Sequence, residues 1–256
     1  MHLIAAERIK FFSISTPVVC GAVAVTGLVV PAGLVAANAS ESRLPPTVAS
    51  TQFGFLFGLV AVLVMGALSV TSEYQTGTIH GSFQAVPSRT PVLLAKAALA
   101  GGYAFALGEA AAFGAWLVAR LVAPDADLAL DSAADWTIVA GTGVVFALGV
   151  VCAVGVGLLV RHTAGAVALL LVYPLLVENL VEVIPGAGPA IHRWLPLNVV
   201  TKFLSGTGGA SGGRDGGNAA ALSDSPLAPG WALAYFAAFV VAVLAAGITT
   251  AKRRDA

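Results

Sequence analysis

The chain has 256 residues, of which 58% are hydrophobic and only 10% charged, and its mean hydropathy is +0.90. Soluble domains are about a quarter charged, and a soluble fold of this size cannot hide so much apolar surface from water, so the composition indicates an integral membrane protein. Thirteen basic residues balance thirteen acidic ones, which gives no net field to attract nucleic acid. Two cysteines are too few for a disulfide-stabilised scaffold.

The first segment, His2–Phe12, precedes any long apolar run. Its apolar residues Ala5, Ile9 and Phe12 are spaced i, i+4, i+7. The charged residues off this stripe are Glu7, Arg8 and Lys10. This pattern predicts an N-terminal helix lying in the membrane interface, and a merely basic lead-in is the alternative.

Six apolar runs follow, each long enough to cross about 30 Å of hydrocarbon, which takes about 20 residues. They are Thr16–Ala37, Thr51–Val70, Ala97–Val122, Thr137–Val160, Thr163–Ile184 and Gly230–Ala251. The predicted fold is therefore an all-α integral membrane protein in which residues 1–256 form one transmembrane domain of six helices. The pair Tyr173-Pro174 predicts a kink in the fifth helix.

The first run has a competing interpretation as a secretory signal. Ala37-Asn38-Ala39 is similar to a signal-peptidase site behind a basic start. The apolar stretch is longer than the 7–15 residues typical of a signal peptide, so a retained helix is favoured.

The distribution of Lys and Arg between the connections predicts the orientation. With the N-terminus inside, the inner set has eight members and the outer set five. The inner set is Arg8, Lys10, Arg89, Lys96, Arg161, Lys252, Arg253 and Arg254; the outer set is Arg43, Arg120, Arg193, Lys202 and Arg214. This excess predicts that both termini are cytoplasmic.

Two connections are longer than a turn. The outer segment 185–229 contains an apolar part, Ile191–Leu204, suited to re-entering the outer leaflet, and a flexible Gly/Ser-rich part, Ser205–Gly217. The inner loop 73–91 contains an apolar ridge that suits a short helix lying on lipid or docking into a partner. The ridge residues are Ile79, Phe83 and Val86, followed by Pro87, and Thr90-Pro91 is predicted to cap the next helix.

Three acidic residues lie within the apolar runs, where a charge costs about 2.5–3.5 kcal/mol. Glu109 lies near the middle of the third run, and Glu178 and Glu182 are spaced i, i+4 in the fifth. One interpretation is that they line a polar substrate path. The alternative is that Glu109 is paired within the bundle and the other two reach outer water.

No motif for catalysis or cofactor binding is present in the sequence. It contains neither the phosphate-binding G-x-x-x-x-G-K-[ST] nor H-E-x-x-H or C-x-x-C, and the four histidines are scattered. No Ser stands in a G-x-S-x-G nucleophile elbow, because the one match to that spacing, at Ser211, lies in the Gly/Ser-rich part, which follows no predicted strand. We therefore predict a protein that is not an enzyme and has no metal or cofactor of its own.

The inner loop resembles the loop after the second span of ABC-2 type transporter permeases. The residues that carry the resemblance are Thr71-Ser72-Glu73-Tyr74-Gln75-Thr76-Gly77-Thr78-Ile79, then Val86-Pro87-Ser88-Arg89, then Lys96. The family pattern is roughly Glu, Gly-Thr, Pro-x-Arg and a Lys opening span three. The sequence departs from it at His80-Gly81-Ser82 and in the Gly-rich insertion 205–217. Six spans, an interfacial N-terminal helix and Leu195-Pro196 before the last span are weaker points of similarity.

The resemblance implies a permease subunit of an ATP-driven exporter in the plasma membrane. Two permeases would pair as a homodimer or heterodimer, and separate ATPase subunits would bind the ATP. The residues implied in coupling are Glu73, Gly77, Thr78, Ile79, Phe83, Val86, Pro87 and Arg89. The alternatives are a proton-coupled secondary transporter and a membrane anchor or sensor that transports nothing.

Overall fold

The computed structural model describes residues 2–39, 46–78, 89–205 and 223–254 of the chain. Within these ranges the regular structure is helical, without strands. The nine α elements are α1 His2–Phe12, α2 Thr16–Ala37, α3 Phe55–Thr76, α4 Arg89–Val122, α5 Ala133–Val160, α6 Thr163–Glu182, α7 Gly188–His192, α8 Pro196–Ser205 and α9 Pro229–Arg254. Six of them, α2 to α6 and α9, are long and apolar enough to span a membrane, which confirms the predicted fold class.

Local sequence signals explain where several helices begin and end. Ser132 and Asp135 form a reciprocal capping box at the start of α5, so this helix begins four residues before the predicted Thr137. Gly77 ends α3 with a φ of 70°, a left-handed conformation that glycine adopts without a steric penalty. Arg161 ends α5 in the same region at φ 55°, which lets α6 begin after only two residues, as the sequence predicts.

Two predicted boundaries around the inner loop are wrong. The second span extends to Thr76 rather than Val70, so Glu73 lies in its last helical turns and not in a loop. The third helix begins at Arg89, so Thr90 lies inside its first turn and is not the N-cap. Pro91 still falls in the first turn, where its missing N–H costs no hydrogen bond.

The fifth span contains the predicted irregularity at proline. Tyr173–Val177 forms a π-helical turn within α6, and Pro174 is its second residue. Proline cannot donate a backbone hydrogen bond, so a wider turn at this position is the expected response.

The spans alternate between two ends of the bundle. We call the end that holds α1, the C-terminus of α3 and the C-terminus of α9 the terminal face, and the opposite end the distal face. At the terminal face the Arg161 guanidinium lies over the Tyr74 ring at 4.8 Å and donates to the Ala251 carbonyl at 3.4 Å. These contacts join the ends of α3, α5 and α9.

In the core, glycines allow neighbouring helices to pack closely. Phe146 of α5 is fully buried and fits beside Gly58 of α3 and Gly108 of α4. A Cβ on Gly58 would lie 2.6 Å from the Phe146 ring, and a Cβ on Gly108 would lie 2.7 Å from the Cα of Gly143. Small residues permit this approach where lipid supplies no hydrophobic drive to bring helices together.

The outer segment forms an amphipathic helix, α8, against the distal part of the bundle. Its buried residues Val199, Val200 and Phe203 face the protein, and the Phe203 ring packs against Gly141 of α5. Helix formation within the predicted apolar part of the segment is thus observed, and its entry into the leaflet stays a prediction. Residues 206–217 of the predicted flexible part lie outside the described residues.

Candidate functional site

A buried cluster of charges joins three helices at the terminal face. The ammonium Nζ of Lys96, on α4, lies 2.7 Å from Oε2 of Glu7 on α1 and 2.8 Å from Oε1 of Glu73 on α3. The side chains of Lys96 and Glu7 are each 6% exposed, and that of Glu73 is 12% exposed. Lys10 extends the cluster, with its Nζ 3.6 Å from Oε1 of Glu7.

The cluster is held by opposite charges that are mostly removed from water. Buried ions need both a partner and hydrogen bonds, and one ammonium shared between two carboxylates provides both. Removing Lys96 would leave the mostly buried Glu73 carboxylate without a compensating charge. The cluster therefore fixes the positions of α1, α3 and α4 relative to one another.

The N-terminal helix binds the bundle through the face that carries Glu7. Phe11 is buried and its ring meets the Tyr103 ring edge-on, with 5.5 Å between centroids. Ile9 and Phe12, two members of the predicted apolar stripe, are 70% and 47% exposed. The helix itself is confirmed, and its placement in the membrane interface stays a prediction.

A cleft of about 360 Å³ opens beside the charge cluster. Its walls combine the charged side chains with an apolar floor that includes Phe11, Met65 and Leu68. Its hydroxyl-bearing residues are Ser13, Thr16, Ser69, Ser72, Thr76 and Thr78. The cleft thus lies between α1, the start of α2 and the end of α3, next to the point where the inner loop leaves the bundle.

The other predicted coupling residues divide into two groups. Gly77 and Thr78 follow α3 directly, and the Thr78 hydroxyl lies 2.9 Å from the Thr76 hydroxyl. Arg89 is the first residue of α4. Ile79, Phe83, Val86 and Pro87 lie outside the described residues.

Glu109 lies far from this cluster along the same helix. Thirteen residues separate it from Lys96, a rise of about 20 Å. Its side chain is half-buried against Gly143 of α5, where a Cβ would collide with Oε1 of Glu109. Among the described residues no hydrogen-bonding or charged partner reaches this carboxylate, so the interpretation that Glu109 is paired within the bundle finds no support there.

Glu178 has a different environment, at the distal face. It is buried, and its two carboxylate oxygens accept the backbone N–H groups of Leu197 at 2.9 Å and Asn198 at 3.1 Å. These are the first N–H groups of α8, which lack partners inside the helix and carry its positive dipole end. Glu178 therefore ties α6 to α8.

Glu182 is exposed, although it lies only one turn after Glu178. The three acids of the predicted path thus have three different surroundings. Glu109 packs on α5, Glu178 caps α8, and Glu182 lies at the distal surface. The described structure does not bring them together into one polar path.

Glu7 was not among the predicted site residues and appeared in the sequence analysis only as a charge off an apolar stripe. Its signal is its position: a carboxylate three residues before Lys10, in the same segment as buried Phe11, needs a cation when the helix docks. Lys96 at the start of an apolar run is the matching cation. Neither residue reveals the other without the fold, because they are 89 positions apart.

The fold and the buried clusters define a polytopic α-helical membrane protein. Among the described residues, no three His, Cys, Asp or Glu side chains come together as ligands for a metal ion. No protein-family model, no curated protein and no solved structure matches the chain.

Proposed function

We propose that the chain is the membrane-spanning permease subunit of an ATP-binding cassette exporter. A separate ATPase subunit would bind ATP, and two permeases would pair in the plasma membrane with their termini in the cytoplasm. The resemblance of the inner loop to ABC-2 permeases supports this proposal, as does the lack of a phosphate-binding loop in the sequence.

The single observation that best supports the proposal is that Glu7 and Glu73 share the Lys96 ammonium. A coupling element has to pass a force from a loop to the spans, which requires a rigid attachment at the end of the loop. The loop between α3 and α4 leaves the bundle beside Glu73 and returns at Arg89, and Lys96 binds Glu73 directly. The same ammonium holds Glu7 of α1.

In this mechanism the ATPase subunit binds the loop that carries Ile79, Phe83 and Val86. Movement of that loop displaces the ends of α3 and α4 together, and α1 follows through Glu7. Within this mechanism Glu73 holds the loop in place and does not contact the ATPase subunit, because its carboxylate is already bound by Lys96. Arg89 remains a candidate for partner contact.

The test compares Phe83→Ala with Phe57→Ala in the complex purified from native membranes. Phe57 lies on α3 and is 61% exposed, so Phe57→Ala is the same substitution at a surface position outside the loop. We expect Phe83→Ala to lower the ATPase activity of the complex and the amount of ATPase subunit retained, and Phe57→Ala to change neither. Equal values for both variants would remove the loop from the coupling route.

The carboxylate of Glu109, which has no hydrogen-bonding or charged partner among the described residues, favours a second candidate, a proton-coupled transporter. An ionisable group at this depth is the usual place for a proton relay. In that case Glu109→Gln abolishes proton uptake into vesicles that hold the purified chain, while Glu182→Gln at the exposed distal surface leaves it intact. Under the exporter proposal, the wild type shows no such proton uptake, and neither do the two variants.

A further inference from the structure

A second cavity lies between the spans, away from the charge cluster. It has a volume of about 200 Å³ and is enclosed by α3, α5, α6, α8 and α9. Its lining includes Leu63 of α3, Cys152 and Val156 of α5, Leu169 of α6, and Phe239 of α9. We call it the α6 cavity, because the π-helical turn of α6 forms one of its walls.

The wall of the α6 cavity is almost entirely carbon. Glu178 borders it, but both oxygens of its carboxylate are turned to the backbone N–H groups of Leu197 and Asn198. The surface that the cavity presents to a ligand is therefore almost wholly apolar. An apolar cavity of about 150 Å³ stays dry and takes up a small hydrocarbon, so a slightly larger one is suited to hydrocarbon as well.

The mouth of the cavity opens toward lipid. Leu169 and Phe239 line it and are also 49% and 37% exposed, which places the opening between α6 and α9. Leu169 lies six residues into α6, about 9 Å along the helix, and thus within the membrane-spanning part. The hydrocarbon that surrounds an opening at this depth consists of phospholipid acyl chains.

We propose that the α6 cavity binds the end of one acyl chain of a bilayer phospholipid. The chain enters between Leu169 and Phe239, its methylenes replace empty space against Leu63 and Val156, and its head group stays outside. The cavity wall includes residues of α6 and α8, the two helices that Glu178 joins, so the bound acyl chain contacts both helices. This proposal does not depend on the exporter function.

The test uses the full chain reconstituted in vesicles of phosphatidylethanolamine and phosphatidylglycerol. These vesicles contain a phospholipid with a diazirine near the end of one acyl chain. After irradiation, labelled residues are mapped by mass spectrometry. We expect adducts at Leu63 and Val156 inside the cavity and at lipid-exposed Val241, and none at Phe146, which is fully buried on α5 away from the cavity.

A variant that fills the cavity separates specific entry from general contact with lipid. Val156→Phe should remove the adducts at Leu63 and keep those at Val241, whereas a matched Val241→Phe on the exposed side of α9 should keep the adducts at Leu63. If Val156→Phe does not fold, Cys152→Leu fills the same space with a smaller change. Adducts confined to exposed residues, or unchanged labelling of Leu63 in the filled variants, would overturn the proposal.

Discussion

At the scale of single residues, the Lys96 ammonium is the group whose loss should lower the stability of the folded protein most. Lys96→Met leaves the carboxylate of Glu73 buried without a cation and Glu7 with only Lys10 at 3.6 Å, and breaking a buried ion pair costs about 3–5 kcal/mol. We expect a large fall in the thermal unfolding midpoint of the purified protein. Lys252→Met, an exposed lysine at the same face, is the matched control and should melt like the wild type.

The Lys96 account also predicts a rescue. Replacing both carboxylates in the Lys96→Met background, with Glu7→Leu and Glu73→Leu, leaves no unpaired charge, and apolar groups can substitute for a buried ionic cluster at little cost. The triple variant should therefore unfold at a higher temperature than Lys96→Met alone. A triple variant that is less stable than the single one would show that the charges are not what destabilises Lys96→Met.

Glu178 gives a second residue-scale prediction at the other end of the bundle. Glu178→Ala removes the acceptor of two α8 N–H groups, and the loss of a helix cap costs about 0.5–2 kcal/mol. We expect α8 to loosen, so trypsin should cut faster after Arg193 and Lys202. Glu182→Ala removes an exposed carboxylate from the next turn of α6 and should leave the cleavage rate unchanged; equal rates for both variants would contradict the cap.

Individual residues were also where prediction from sequence was least complete. The cost of placing a charge in an apolar run marked Glu109 and Glu178 as special without indicating their partners. Glu178 finds its partners in backbone N–H groups about 20 positions away, and such groups have no signature in the sequence. Glu7 and Lys96 meet only because α1 folds back against α4.

At the scale of elements, the helices were largely predictable and their contacts were not. The apolar run Thr16–Ala37 gives both ends of α2 correctly, and Tyr173-Pro174 marks the irregular turn of α6. Hydropathy alone ended the second helix too early, because the polar residues Ser72 and Glu73 continue it: the Ser72 hydroxyl donates to the Leu68 carbonyl of the same helix, and Glu73 binds the buried Lys96. Which glycines touch another helix depends on the rotation of each helix, and composition does not report it.

Gly247 provides the element-scale prediction. A Cβ at this position of α9 would lie 2.7 Å from the carbonyl oxygen of Gly155 on α5, whereas a Cβ at Gly230 of the same helix would meet nothing within 4 Å. Gly247→Leu should push α9 away from α5 and destabilise the bundle by about 1–3 kcal/mol, the usual cost of overpacking. Gly230→Leu makes the same substitution in the first turn of the same helix, where the added side chain meets nothing, and should show no loss in thermal unfolding.

At the scale of the whole molecule, the basic residues predict which face is cytoplasmic. Arg254→Cys at the terminal face and Asp131→Cys at the distal face, each in a background without Cys20 and Cys152, place one thiol at each end. In intact cells a membrane-impermeant maleimide should label Asp131→Cys and spare Arg254→Cys. The reverse pattern would invert the orientation and place the inner loop out of reach of any cytoplasmic ATPase.

The exporter proposal is tested most directly by identifying the proteins that co-purify with the tagged chain from its native membranes. The chain is purified in a mild detergent after brief crosslinking, and its companions are identified by mass spectrometry. The account predicts a companion with a G-x-x-x-x-G-K-[ST] motif, present in an amount equal to the permease chain and hydrolysing ATP in the eluate. A chain that elutes without any nucleotide-binding companion, crosslinked or not, would contradict it.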